Sequence, residues 1–332
     1  MAISAQDVKR LRDETNAGMM DCKKALTEAN GDFNRARDIL KERGQVIAAK
    51  RADRNATDGV ALAKVSADAK FGVAIILNSE TDFVAKNEEF VKLANKIADL
   101  ALEAKPADLE ALKNLSLEGD TVANKVNALT GIIGEKIDLS AYQSISADWI
   151  SLYIHANNKI ASLVGFNKKT DERLGKDVAI QVATMSPVAV NRNAVPAELI
   201  EHERQTAIEK TKLELCQKAV EAALTKAGYN LYIAENEEHL NEGIMKGNIT
   251  AEQADDIRRI KKEEAEKKAA SLPEQMIQNI VKGRIEKFLK ERTLVDQEFV
   301  MSDEGNITVG AYLAKIDKEL QPTGLVRLAL GE

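Results

Sequence analysis

The chain has 332 residues, 30% of them charged and 44% apolar, enough for two or three packed domains with a sizeable core. Only 4% are aromatic and five are proline, a balance that favours helices of Ala, Leu, Lys and Glu over an aromatic-rich β-sandwich. A formal charge of −6 weighs against a nucleic-acid binder, whose groove needs a basic surface with stacking platforms, so no direct nucleic-acid partner is expected.

The reactive inventory excludes more. Cys22, Cys216, His155, His202 and His239 lie far apart, with no CxxC, HExxH or HxH spacing, which removes the usual zinc signatures. Neither GxxxxGK[ST] nor GxGxxG occurs, so the chain carries no phosphate cradle and no cofactor is expected. No apolar run reaches the ~18 residues of a membrane span and the start, MAISAQDVKR, has no apolar signal core; the expected compartment is the cytoplasm, away from membranes. A protein that works by binding another protein, and not an enzyme, is the reading composition favours.

Residues 1–55 read as three short helices. Ser4 caps a helix carrying Val8 and Leu11, Asp21 caps CKKALTEAN up to Gly31, and Asp32 caps FNRARDILKER up to Gly44. Val8, Leu11, Met19, Met20, Leu26, Phe33, Ile39 and Leu40 exceed what so small a bundle needs to bury, so part of the set is available to a partner. QVIAAKRADRNATDG then reads as a polar linker or a fraying helix.

From Gly59 the chain repeats itself with a constant offset of 89 residues: GVALAKVSADAKFGVAIILNSETD lies over DWISLYIHANNKIASLVGFNKKTD without a gap. Ala67 pairs with Ala156, Lys70 with Lys159, Asn78 with Asn167, Thr81 with Thr170 and Asp82 with Asp171. Each copy reads as strand, tight turn, strand and loop, the turns being SADAK and HANNK. Val60, Leu62, Val73, Ile75 and Leu77 form the apolar face of one copy; Ile150, Leu152, Ile154, Leu163 and Phe166 form that of the other. A helix follows each, from Asn87 in the first and from Asp177 in the second, and Ala107 to Gly134 between the copies reads as helical. The fold class is α+β, with a core of two similar halves, each a small antiparallel sheet covered by helices, over 56–147 and 148–195 plus 273–332.

Beyond Pro196 a helix of about thirty residues runs to Gly228, and Thr250 with Gln253 forms a capping box opening AEQADDIRRIKKEEAEKKAA. Residues 196–272 therefore read as an inserted antiparallel helical hairpin of coiled-coil type, with a seam of Ile208, Leu215, Val220, Leu224 and Ile257. Such an arm serves equally as a solvated spacer or as a surface for a partner or for self-association. From Pro273, PEQMIQNIVKGRIEKFLKERTL is expected to re-enter the body, and QPTGLVRLALGE supplies a last strand to the second sheet.

RDETNAGMMDCKKALTEANGD, SETDFVAKNEEF, VKGRIEKFLKERTLVDQEFVM and TGLVRLALGE, in that order, resemble elongation factor Ts, the guanine-nucleotide exchange factors of bacterial translation. The resemblance covers nearly the whole chain. It implies a ubiquitin-associated-like N-terminal bundle, a two-part core, an inserted helical hairpin and a partner, elongation factor Tu in its GDP-bound form. In that family the TDFV loop inserts beside the magnesium site of the GTPase, which places Thr81, Asp82, Phe83 and Val84 in the loop here. The resemblance also points to Met19, Met20 and Lys23 from GMMDCKKAL, and to His155, Phe299, Val300 and Met301 from YIH and QEFVM, as further partner contacts. Met19 and Met20 suit the bundle core equally well, since methionines at helix spacing commonly fill gaps, and Cys22 reads as a small buried residue.

The repeat divides the labour within the loop. Thr81 and Asp82 have counterparts in Thr170 and Asp171 and are expected to shape both loops as a turn or cap, whereas Glu172 stands opposite Phe83. Phe83 is thus the expected wedge, with Asp82 fixing its presentation. Two features depart from the family pattern: the insertion is longer than its usual short hairpin, and the chain stops after the final strand where many members carry a further helix. A rival of another class, an adaptor or scaffold binding through the N-terminal bundle, has no need of one wedge on one of two sister loops.

Overall fold

A computed structural model describes residues 3–15 and 17–332. They form two compact units, one running to Val190 and resuming over Leu294–Glu332, the other Asn191–Thr293.

The first unit opens with the bundle. Helix α1 (Ala5–Thr15) begins where the backbone N–H of Asp7 donates to Ser4 Oγ and that of Ser4 to Asp7 Oδ2, both at 3.1 Å. Helix α2 (Met19–Glu28) starts after Gly18, two residues before the expected cap, and Asp21 sits in its first turn, where a carboxylate suits the helix dipole. Helix α3 (Phe33–Arg51) is capped as expected by Asp32, which accepts from the N–H groups of Asn34 and Arg35. It does not stop at Gly44. Leu11, Cys22, Ala25, Leu26, Ala36 and Ile39 fill the core between the three helices.

The first half of the core is a sheet of β1 (Asp58–Val65), β2 (Phe71–Ser79) and β5 (Ile137–Ser146) in that order, antiparallel throughout. Between β2 and β5 lie α4 (Asp82–Ala85), α5 (Glu88–Ala104), α6 (Leu109–Asn114), a minimal hairpin of β3 (Ser116–Leu117) and β4 (Asp120–Thr121), and α7 (Val122–Ile133). Val60, Leu62, Val73, Ile75 and Leu77 pack against Phe90, Ala94 and Ile97 of α5 and Val122 and Val126 of α7. Strand β5 went unread, although Ile137 and Leu139 alternate with polar residues before it bends at a bulge opposite Ile76 and Leu77.

The second half pairs β6 (Trp149–Ile154), β7 (Ile160–Phe166) and β8 (Pro322–Ala329), so the last strand completes this sheet as read. Its helices are α8 (Glu172–Met185) and α14 (Val309–Ile316). Helix α8 starts at Glu172 and not at Asp177, because Asp171 caps it by accepting from the N–H groups of Arg173 and Leu174. The sister turns carry a left-handed residue at the same repeat position, Ala69 with φ 56° and Asn158 with φ 54°.

The two sheets pack on each other through their second faces, Ala61, Ala63, Ala74 and Ile76 of the first against Ile150, Ala161, Leu163, Val326 and Leu328 of the second. Small side chains in one sheet receive larger ones from the other, which keeps the interior filled. A single apolar face per strand was therefore too few. Ile150, Leu152, Ile154 and Leu163 look towards the first sheet, while Val164 and Phe166 meet the helical side.

The bundle is fastened to the first half along α3, which runs to Arg51, into the segment read as a linker or a fraying helix. Its Gly44 is buried against Gly131 of α7, where an added Cβ would lie 2.4 Å from Gly44 Cα. A side chain at Gly131 would run into the α3 backbone, whereas one at Gly44 would meet only ordinary contacts at 3.8 and 3.9 Å, so the close approach rests on Gly131.

In the second unit α9 (Ala197–Lys226) is followed by α10 (Leu231–Ala234) and α11 (Glu237–Met245) at the tip, then by α12 (Ala251–Ala270) and α13 (Glu274–Arg292). The Thr250–Gln253 capping box opens α12 as expected. The seam divides in two. Leu224 packs with Ala234, Leu240, Ala254 and Ile257, with Val220 at its margin, whereas Ala207 and Ile208 pack with Ile277, Val281 and Ile285 of α13. Helix α13 thus lies along α9 and extends the arm to Thr293, where the sequence had suggested a return to the body at Pro273.

Candidate partner interface

The loop after β2 is built to expose one ring. Ser79 is buried and gives its hydroxyl to the carbonyl of Thr81 at 2.8 Å; Thr81 is extended, at φ −130° and ψ 156°; the single turn of α4 follows. Asn87 then caps α5 by accepting from the N–H groups of Glu89 and Phe90. With both ends fixed, the turn has one way to face: Val84 points inward, 7% exposed in the first core, and Phe83 points out, 80% exposed.

Glu135, just before β5, holds the base of this turn. Its carboxylate accepts from the N–H of Thr81 at 3.2 Å and from Thr81 Oγ1 at 3.0 and 3.1 Å. Reciprocally, Glu80 Oε1 accepts from the N–H of Lys136 at 2.6 Å and from Arg51 Nη1 at 2.8 Å, and these bonds, the Lys136 N–H foremost, hold its carboxyl below the usual range. Asp82 does not cap. Its Oδ2 takes Lys86 Nζ at 2.7 Å on the surface, and that ammonium keeps the carboxyl ionised to lower pH. The expected equivalence with Asp171 fails because Asp171 opens a helix of fourteen residues whereas Asp82 lies inside a one-turn helix whose preceding residue is Thr81. Thr81, Glu135 and Val84, not Asp82, present Phe83.

On α2, Cys22, Ala25 and Leu26 are buried and Met19, Met20 and Lys23 lie on the outer face. Met19 and Met20 are 45% and 63% exposed, so they do not fill the bundle core. Cys22 is buried, and desolvation pushes its thiol pKa up, as befits an unreactive packing residue.

His155 is exposed at the β6–β7 turn, with Nδ1 2.9 Å from the hydroxyl of Tyr153. Phe299 is a correction: it is 4% exposed, its ring tilted against that of Tyr312 with centroids 4.9 Å apart in the second core, and is not available to a partner. Val300 and Met301 beside it are exposed. Gln181, fully buried, secures this loop by accepting from the N–H of Val300 at 3.1 Å and donating Nε2 to the carbonyl of Glu298 at 3.0 Å. Phe83, the α2 methionines, His155 and the Val300–Met301 pair all stand on the first unit.

Glu80, Glu135, Arg51 and Gln181 were not anticipated. A signal existed for Glu135, since Glu-Lys directly precedes the alternation that marks β5; nothing local marks Arg51 or Gln181, whose partners lie far along the chain. Among the described residues no group of three or more His, Cys, Asp or Glu could hold a metal ion, and no helix is long and apolar enough to cross a membrane.

A family model described as Elongation factor TS matches residues 80–332, beginning at Glu80 beneath the exposed ring. The chain belongs to the elongation factor Ts family. It is 46% identical over 331 residues to an elongation factor Ts of Bacteroides fragilis and 38% identical over 331 residues to that of Flavobacterium psychrophilum, with 99% of each chain covered. That of Amoebophilus asiaticus is 40% identical over 334 residues, covering both chains fully. These family members match along nearly their whole length. Membership places the protein among the elongation factors of translation.

Proposed function

We propose that the protein is a guanine-nucleotide exchange factor that promotes GDP release from elongation factor Tu in the cytoplasm, inserting Phe83 beside the magnesium site of that GTPase. The observation that carries the reading is the ring of Phe83, 80% exposed on a turn whose two ends and inward residue are all fixed. An exposed aromatic is normally free to rearrange; the backbone that carries this one is hydrogen-bonded at both ends of the turn. GDP is held by backbone amides and Mg²⁺ on such a GTPase, so a rigid apolar group pushed into that region weakens its grip.

The chain itself makes and breaks no bonds in this reading. Burying one Phe contributes about 1.5–3 kcal/mol, roughly ten- to 150-fold in an equilibrium constant, so the rest comes from contacts spread over Met19, Met20, Lys23, His155, Val300 and Met301. Linkage requires that GDP weaken the complex by the factor by which the complex weakens GDP, and GTP entry then completes the cycle. The test is a chase: elongation factor Tu loaded with fluorescent GDP is mixed with unlabelled nucleotide and sub-stoichiometric amounts of this chain. Faster release with turnover is expected; release at the spontaneous rate refutes the proposal.

A further inference from the structure

Helix α3 is one unbroken helix from Phe33 to Arg51, and it joins the α2 surface to the base of the Phe83 loop. It is tied to the first half at successive levels. Lys41 Nζ pairs with Asp120 Oδ2 at 2.6 Å near its middle, Gly44 meets Gly131 one turn later, and Arg51 Nη1 reaches Glu80 Oε1 at its end. Lys136 reinforces the last level, its N–H bonded to Glu80 while its Nζ donates to the carbonyls of Ala52 at 2.7 Å and Arg54 at 3.0 Å. Glu80 is the residue before Thr81, so the end of α3 is clamped within three residues of Phe83.

We propose that Arg51 and Glu80 are positioning residues that lock the bundle to the Phe83 turn through α3, so that contact at Met19 and Met20 is converted into displacement at Phe83 and not absorbed by flexing between them. This deepens the exchange reading and rests on it. The physical ground is stiffness. A bundle on a flexible tether adds affinity through effective concentration but transmits no force to a second site, whereas a helix fixed at its middle and its end keeps the two surfaces in one geometry. Glu80 is only 18% exposed at its side chain and Arg51 34%, so water screens their pairing less than that of an open surface pair.

The test uses the full chain and GDP-loaded elongation factor Tu, with the release rate measured against the concentration of this chain. For Arg51→Ala the maximal rate is expected to fall about three- to tenfold with the half-saturating concentration changed less than about twofold, because both surfaces still bind but act out of register. Arg51→Lys recovers most of the rate, and Lys136→Ala, which removes the hold on the carbonyls of Ala52 and Arg54 just after α3, reproduces the loss. A second readout needs no partner. Spin labels at Met20→Cys and Glu88→Cys in a Cys216→Ser background give a narrow distance distribution that broadens in Arg51→Ala. A wild-type chain that does not accelerate release overturns the exchange reading. A wild-type chain that does, with Arg51→Ala keeping its maximal rate or its narrow distance distribution, overturns the positioning role alone.

Discussion

Phe83→Ala separates presentation from folding. In the free protein the ring is 80% exposed, so its removal leaves the folded state with nothing lost but surface, and the unfolding free energy is expected to change by less than about 0.5 kcal/mol. In the proposed complex the same four-fifths of the ring would leave water. At about 1.5–3 kcal/mol for full burial of a Phe, the exposed share amounts to about 1.2–2.4 kcal/mol, or about 8- to 60-fold in the rate of stimulated release. The neighbouring Val84 is the internal control. It is 7% exposed within the first core, and Val84→Ala is expected to cost about 1–3 kcal/mol of stability through the cavity it leaves. The assay pairs a denaturant melt with the fluorescent GDP chase on the same preparations. A Phe83→Ala chain that releases GDP as fast as wild type, or one that melts as early as Val84→Ala, refutes the reasoning.

Glu135→Ala removes the acceptor of Thr81 N–H and Oγ1, and stimulated release is expected to drop about three- to tenfold while the far-ultraviolet spectrum stays that of the wild type. Gly131→Ala places a methyl where Gly44 Cα now lies 2.4 Å away, so α3 must lift from α7; a loss of about 1–3 kcal/mol should appear in the melt. Ala69 holds a left-handed conformation that costs a non-glycine residue about 1–2 kcal/mol, so Ala69→Gly should raise the melting midpoint, and Asn158→Gly at the sister turn should raise it less because Asn tolerates that region. Asp120 is held down to about 2 from an ordinary 3.8, chiefly by Lys41 and then by Asn124. The folded-state pKa is depressed, so its contribution is present above 3.8 and fades as pH falls towards 2; the stability gap between wild type and Asp120→Asn should close over that window in acid titration.

Local chemistry sufficed for what is written locally. Apolar alternation with a tight turn placed β1, β2, β6 and β7, short polar side chains placed the caps at Ser4, Asp32 and Thr250, and an offset of 89 residues revealed the sister halves. The same repeat singled out Phe83, because only one of the two loops carries an aromatic, and the exposure of that ring agrees with the reading.

Several of the misreadings turn on a contact that only the folded chain supplies. Gly44 looks like a helix stop until Gly131 is brought against it, and then it marks a crossing and the helix runs on to Arg51 through the first half of the segment read as a linker or a fraying helix. Phe299 reads as a partner contact until Tyr312 covers it, and α13 reads as part of the body until Ala207 and Ile277 draw it onto α9. Asp82 and Asp171 are equal in sequence, yet Asp171 caps a long helix and Asp82 lies within a single turn whose support is Glu135, 54 residues from Thr81. Hydrogen bonds and burial are properties of neighbours in space, so the sequence by itself determined which ring stands out in the repeat, and only the tertiary structure decided what holds it there.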